Sequence, residues 1–217
     1  MVKRVSIVEN ILSANDQLAA NNRKKLDASN IFSLNFMASP GAGKTSLIER
    51  IVKSLADRYK IAVVDGDIAT NLDADRAASA GAVAVQINTG GECHLDAVML
   101  QGALKQIPLN EIDLLIVENV GNLICPSSFK LGTHKSILIA STPEGDDKPY
   151  KYPGMYQGVD ALVVNKIDLL PYITFDMAYF TRGVEILNPN LITFPISCRT
   201  GEGINCLLNW LIDNLET

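Results

Sequence analysis

Between the apolar run Ile31–Met37 and the amphipathic stretch Lys44–Tyr59 stands a passage of small residues, Ala38-Ser39-Pro40-Gly41-Ala42-Gly43-Lys44-Thr45. A turn of this kind, ending a strand and opening a helix on Gly-Lys-Thr, is a phosphate loop. Its backbone N–H groups and the helix N-terminus together form an anion site. The feature fixes a strand, a turn and a helix in that order, and so predicts an α/β unit. Lys44 is expected at the β- and γ-phosphates and the Thr45 hydroxyl on Mg²⁺, with Gly41, Ala42, Gly43 and Ser46 lining the phosphates. The first glycine of the usual pattern is Ala38 here. That stiffens the bend, while Gly41 and Gly43 remain where the backbone must approach a ligand closely.

Short apolar runs recur along the rest of the chain: Ile61–Asp65, Val83–Ile87, Leu114–Val117, Ser136–Ala140, Ala161–Val164 and Ile192–Ile196. Nearly continuous runs such as Ile61-Ala62-Val63-Val64 suit strands buried on both faces of a parallel sheet. Helical patterns at Leu72–Ala80, Cys93–Lys105, Phe175–Leu187 and Ile204–Leu215 alternate with them. The alternation predicts a doubly wound, mainly parallel sheet of about seven strands, a P-loop domain over residues 31–217. Residues 1–30 carry spaced apolar positions from Val5 to Leu26 and read as an N-terminal helical extension. The Gly-, Pro-, Asp- and Tyr-rich segment Pro143–Gly158 reads as the longest loop.

A net charge of -5 argues against a nucleic-acid partner, which wants a basic face. Glu9, Asn10 and Asp16 interrupt any apolar leader, and no apolar run reaches the roughly 20 residues that span a bilayer. The expectation is a cytoplasmic chain, not bound to membrane, whose four cysteines are thiols.

Base choice is expected from Asn165-Lys166-Ile167-Asp168, directly after the run Ala161–Val164. A carboxylate only accepts hydrogen bonds, so Asp168 pairs with the N1–H and exocyclic amine of guanine and finds no such donor pair on adenine. Asn165 is expected to tie this loop to the phosphate loop, and the stem of Lys166 to cover the base. Ser197-Cys198 would back the base from the next strand end. The nucleotide is therefore GTP or GDP. Two acidic strand ends complete the expected site. Glu118-Asn119-Val120-Gly121 places Glu118 near Mg²⁺ and the Gly121 N–H near the γ-phosphate, while Asp67 of Asp65-Gly66-Asp67 orients the attacking water or holds Mg²⁺. Catalysis by Lys44, Asp67, Glu118 and Gly121 would be positioning and charge stabilisation. Asp73 and Asp75 read as exposed or helix-capping.

Cys93-His94 sits at an expected helix start, and Cys125-Pro126 falls in a loop four residues beyond Gly121. Thiolate and imidazole suit Zn²⁺, Ni²⁺ or copper better than Mg²⁺ or Ca²⁺. On their own these residues fit a structural role as well as a metal site. The chain reaches at most about 3.3–3.6 Å per residue, so a γ-phosphate gripping Gly121 would tension the segment that carries Cys125. Cys206 lies among apolar helix residues and reads as core.

Taken together, Ser39–Thr45, Asp65-Gly66-Asp67, Cys93-His94-Leu95, Glu118–Leu123, Cys125-Pro126, Pro143–Pro149 and Asn165–Asp168 resemble the HypB family of hydrogenase nickel-incorporation GTPases. The resemblance runs from about Val5 to the C-terminus. It implies a Ni²⁺ or Zn²⁺ site made by Cys93, His94 and Cys125 at a GTP-favoured homodimer interface. It also implies GTP-driven nickel transfer toward a hydrogenase large-subunit precursor, with a second nickel accessory chaperone as partner. Relatives with an N-terminal cysteine cluster or histidine-rich stretch differ, because the first cysteine here is Cys93 and the two histidines are isolated. The rival readings are a nickel GTPase serving urease, whose Cys-Pro-His run is absent, a GTPase chaperone of a cobalamin-dependent mutase, and a GTP-switched dimerisation module with structural zinc.

Overall fold

The computed structural model describes residues 7–67 and 72–217. Seven strands form one sheet: β1 (Phe32–Ala38), β2 (Ile61–Asp67), β3 (Val83–Asn88), β4 (Leu114–Glu118), β5 (Lys135–Ser141), β6 (Ala161–Asn165) and β7 (Ile192–Pro195). Their order is β3-β2-β4-β1-β5-β6-β7, and every pair is parallel. Eight α-helices accompany them among the described residues: α1 (Ile7–Ala28), α2 (Lys44–Leu55), α3 (Leu72–Ser79), α4 (Ala97–Leu104), α5 (Lys148–Lys151), α6 (Pro153–Gln157), α7 (Met177–Leu187) and α8 (Ile204–Leu215). Each expected strand is present, with ends shifted by a residue or two.

Alternation along β1 explains the layers. Leu34, Phe36 and Ala38 point into a core built with Leu47, Ile48 and Ile51 of α2 and Leu207 and Leu211 of α8. On the other face there are two separate clusters. Leu26 of α1 and Leu100 and Leu104 of α4 cover Ala62, Val64, Leu115 and Val117. Met37, Leu138 and Val164 lie under Met155 and Tyr156 of α6 and Phe180 and Val184 of α7. Each fully buried aliphatic or aromatic side chain contributes about 1.5–3 kcal/mol, so these three clusters hold the sheet between its helices.

Four details correct the sequence reading. The helix expected over Cys93–Lys105 begins only at Ala97, because Asp96 caps it and accepts from the Met99 N–H at 2.8 Å. Asp176 likewise caps α7, so that helix starts at Met177 rather than Phe175. Pro143–Gly158 is no open loop: Pro149 and Pro153 stand in the first turns of α5 and α6, where a missing N–H costs nothing. Cys206 is exposed, since the buried stripe of α8 is Ile204, Leu207 and Leu211. Val5, the start of the expected extension, lies outside the described residues.

Candidate functional site

Both candidate centres lie at the C-terminal ends of the parallel strands, where ligands of open α/β sheets bind. Gly43 caps α2 with φ 98°, a left-handed conformation that favours glycine. A side chain there would strike the Asn165 amide. That amide donates to the Ala42 carbonyl at 2.9 Å and accepts from the Cys198 N–H at 3.1 Å. Lys166 follows with φ 64°, and its ammonium donates to the Gly41 carbonyl at 2.6 Å. The strand ends after β6 and β7 are thereby fastened to the phosphate loop. Ser39 adds a further tie by donating to Glu144, whose other oxygen accepts from the Ser141 N–H at 2.8 Å.

Asp168 accepts from the Ser197 hydroxyl at 2.6 Å, which leaves its other oxygen available to a base. Gly43, Ser46, Asn165, Lys166, Asp168 and Cys198 line one pocket of about 360 Å³. Burial pushes the Cys198 thiol up to about 11, so it stands there as a small neutral group.

On the phosphate side a cleft of about 590 Å³ is lined by Lys44, Thr45, Asp65, Asp67, Glu118 and Gly121, among others. Glu118 is buried, accepting from the Thr45 hydroxyl at 2.7 Å, with the Lys44 ammonium at 3.3 Å. Asp65, in the sequence only the neighbour of Asp67, and Asp73, which is half-buried here and not simply exposed or capping, join it. Asp65, Asp73 and Glu118 offer carboxylate oxygens within 4.8 Å of one another. Asp65 is 2% exposed, and among the described residues its Oδ2 has no hydrogen-bond partner. Desolvation, then the neighbouring Glu118 charge, push Asp65 up to about 7. Burial raises Glu118 as well, opposed by Lys44 and Thr45. Crowded oxygen donors with an unpaired lone pair suit a hard cation such as Mg²⁺. The signal for Asp65 in the sequence was its place inside an apolar strand, two residues before the more conspicuous Asp67.

The second centre is a cluster of soft donors. Cys93 Sγ lies 3.0 Å from Cys125 Sγ and 3.8 Å from His94 Nδ1. The three ligand atoms fall within 4.8 Å of one another, all half-buried. The hydrogen bond to Cys125, then burial, raise the Cys93 thiol, so metal entry here would expel protons. The His94 ring packs on Phe129 with centroids 4.0 Å apart.

The two centres share one connecting segment. The Asn122 N–H donates to the Ala38 carbonyl at 2.8 Å, and its side-chain amide donates to the Cys93 carbonyl at 3.2 Å. Asn119 Oδ1 accepts from the Leu95 N–H at 3.0 Å. Gly121 packs so closely that an added Cβ would lie 3.1 Å from the Pro40 nitrogen. Phosphate loop, Gly121 and thiol turn therefore touch in series.

Comparison with known proteins places the chain in a family. The sequence model described as CobW/HypB/UreG, nucleotide-binding domain, matches residues 34–194. The hydrogenase maturation factor HypB of Rhizobium leguminosarum bv. viciae is 44% identical over 207 residues, covering 95% of this chain and 69% of that protein. The probable hydrogenase maturation factor HypB of Methanocaldococcus jannaschii is 44% identical over 211 residues, covering 97% of this chain and 96% of that protein. Among solved structures, HypB from Helicobacter pylori in complex with nickel superposes with a TM-score of 0.89 at 38% identity, covering 94% of this chain and 95% of that one. The chain belongs to the HypB family of hydrogenase maturation factors, within the CobW/HypB/UreG nucleotide-binding domains.

Proposed function

We propose that this chain is a GTP-hydrolysing metallochaperone that hands nickel to a [NiFe]-hydrogenase precursor, releasing or retaining the metal according to its nucleotide. Residues 31–217 serve as the GTPase domain and residues 1–30 as its helical extension. The observation that carries the reading is the Asn122 bridge, from the Ala38 carbonyl at the head of the phosphate loop to the Cys93 carbonyl beside the thiols.

In this reading Gly41, Ala42, Gly43 and Ser46 hold phosphate oxygens, Lys44 neutralises them, and Asn165, Lys166, Asp168, Ser197 and Cys198 select guanine. Thr45 and Glu118 would hold Mg²⁺, with Asp67 or the buried Asp65 completing the set; the bound ion supplies charge neutralisation at the phosphates. Gly121 offers its N–H to the γ-phosphate while resting against Pro40, so loss of that phosphate relaxes the segment leading to Asn122 and Cys125. Cys93, His94 and Cys125 bind nickel, or zinc in competition with it. Three ligands from one subunit leave a tetrahedral or square-planar set incomplete. Ile124, 65% exposed beside Cys125, supports closure of the site by a second copy when GTP is bound. A second nickel accessory chaperone and the hydrogenase large-subunit precursor are the partners of such a carrier. Among the described residues no helix is long and apolar enough to cross a membrane, which suits work in the cytoplasm.

The test is Ni²⁺ and Zn²⁺ affinity by equilibrium dialysis, with GDP and with a non-hydrolysable GTP analogue, alongside mass measurement and a Cys125→Ala control. Affinity and dimerisation that change with nucleotide and depend on Cys125 support nickel delivery. Nucleotide-dependent dimerisation with Zn²⁺ alone bound would favour a structural-zinc dimerisation module instead.

A further inference from the structure

Helix α1 presents amides where a packed helix ordinarily presents hydrocarbon. Asn15 and Asn22 lie seven residues apart on the face that carries Leu26, and they are only 6% and 2% exposed. Burying an amide is costly unless its hydrogen bonds are made, and here they are made in one pattern. Asn15 Oδ1 accepts from the Ala97 N–H at 2.9 Å, while its Nδ2 donates to the Lys130 carbonyl at 2.9 Å. Asn22 Nδ2 donates to the Ala97 carbonyl at 2.9 Å and to the Leu131 carbonyl at 3.1 Å. Each amide bridges the same two segments.

Those segments are the ones that carry the thiols and imidazole. Ala97 is the first residue of α4, directly after the Cys93-His94 turn, and its N–H is among the donors a helix start leaves without an internal partner. Lys130 and Leu131 lie in the segment that runs from Cys125 to β5. Phe129, adjoining Lys130, is the residue whose ring packs on His94 at 4.0 Å. Arg23, next along α1, donates to the Gly132 carbonyl at 2.9 Å and also to the Thr133 carbonyl, which extends the seam. From the opposite side Asn119 and Asn122 hold Leu95 and Cys93.

We propose that Asn15 and Asn22 are positioning residues of the Cys93-His94-Cys125 site, setting the separation of its two ligand-bearing segments from α1. The inference rests on the reading of that trio as a nickel site. Neither asparagine touches the metal. Both act through Ala97 and the 130–131 backbone, which fix where the short tethers to Cys93 and Cys125 begin. Groups that orient ligands from behind change metal affinity by about 10–100-fold when removed.

The experiment uses the full chain and its Asn15→Ala and Asn22→Ala variants. Ni²⁺ affinity by chelator competition, the thiolate-to-nickel charge-transfer absorption, GDP affinity and thermal stability are measured on each. The expected result is Ni²⁺ affinity lowered about 10–100-fold, a displaced or weakened absorption band and unchanged GDP affinity. Asn22→Gln, which keeps the amide donor, should recover part of the loss. Should an alanine variant fail to fold, Asn15→Asp, which keeps the acceptor for Ala97 and deletes the donor to Lys130, carries the same comparison. Variants that match the wild type in Ni²⁺ affinity and spectrum, or that lose only thermal stability, overturn the positioning role while leaving the site reading intact if Cys125→Ala still abolishes the band. A wild-type chain with no Cys125-dependent band overturns the site reading, and this inference with it.

Discussion

Replacing Gly132 by alanine should loosen α1 from the sheet, and the structure sets the size of the effect. Gly132 has φ +93°, and an added Cβ would fall on the Ala19 carbonyl oxygen, with the Ala19 carbon and the Arg23 nitrogen each 3.0 Å away. These are backbone atoms of α1, so no side-chain rotation relieves the overlap. The left-handed conformation alone costs a non-glycine residue about 1–2 kcal/mol. Moving the helix away stretches the Arg23 hydrogen bond to the Gly132 carbonyl and the neighbouring bonds of Asn22, each worth about 0.5–1.5 kcal/mol. The sum is about 2.5–6.5 kcal/mol, and for a chain of this size each kcal/mol lowers Tm by about 2–4 °C. Gly91 supplies the control, because it has φ +101° and open space around its Cβ position, so Gly91→Ala carries the conformational cost alone. Differential scanning calorimetry of both variants reads the difference. Equal losses in the two would refute the packing argument, since they would mean the Ala19 contact contributes nothing.

Other outcomes follow from the same geometry. Lys44→Ala should weaken GTP binding by about 100-fold, the worth of one to two hydrogen bonds to a charged group, and retained affinity in a fluorescent-nucleotide titration would reject the phosphate assignment. Asp168→Asn should shift preference from guanine to xanthine nucleotides, whose C2 carbonyl accepts where guanine donates; competition between GTP and XTP measures it, and an unchanged ranking rejects the role. Asp65, raised from 3.8 to about 7, holds a proton in the fold that the unfolded chain releases, so Mg²⁺-free stability should fall as pH rises through that window. In Asp65→Asn that fall should disappear, and melting curves in EDTA that stay parallel to wild type from pH 5 to about 8 would show that Asp65 is not the group responsible.

Much of this was legible in the chain itself, because the signals were local. Runs such as Leu114–Val117 and Ala161–Val164 are short and wholly apolar, which suits a strand buried on both faces, and the structure makes them β4 and β6. The Cys93, His94 and Cys125 trio follows from the family resemblance more than from thiol and imidazole chemistry alone, and the fold brings these donors within 4.8 Å of one another. What escaped depended on tertiary neighbours or on competition between local signals. Asp65 looked like a lesser companion of Asp67 because its burial under Glu118 and Asp73 is a property of three separated strand and helix ends. The inward amides of α1 leave no mark in apolar spacing, because Asn15 and Asn22 look like any polar position on a helix. The helix starts at Ala97 and not at Cys93 because Asp96, inside the apolar pattern, caps it.

The strand order also bears on how the molecule comes into being. β1 pairs with β4 and β5 and with no earlier strand, so Ser33 must wait for His134, 101 residues further along, to complete its surroundings. During synthesis the phosphate loop emerges on a strand with both edges open. Its locking residues emerge much later, Asn165 lying 123 residues beyond the Ala42 carbonyl it holds and the Cys198 backbone further on still. Non-local parallel pairing of this kind is slow to form, because loop closure is opposed by entropy before any contact rewards it. A nascent chain therefore gains nucleotide affinity only after the strand ends that carry Asn165 and Cys198 have been made. Until then two unpaired edges of an apolar strand are exposed to whatever protects newly made protein from aggregation.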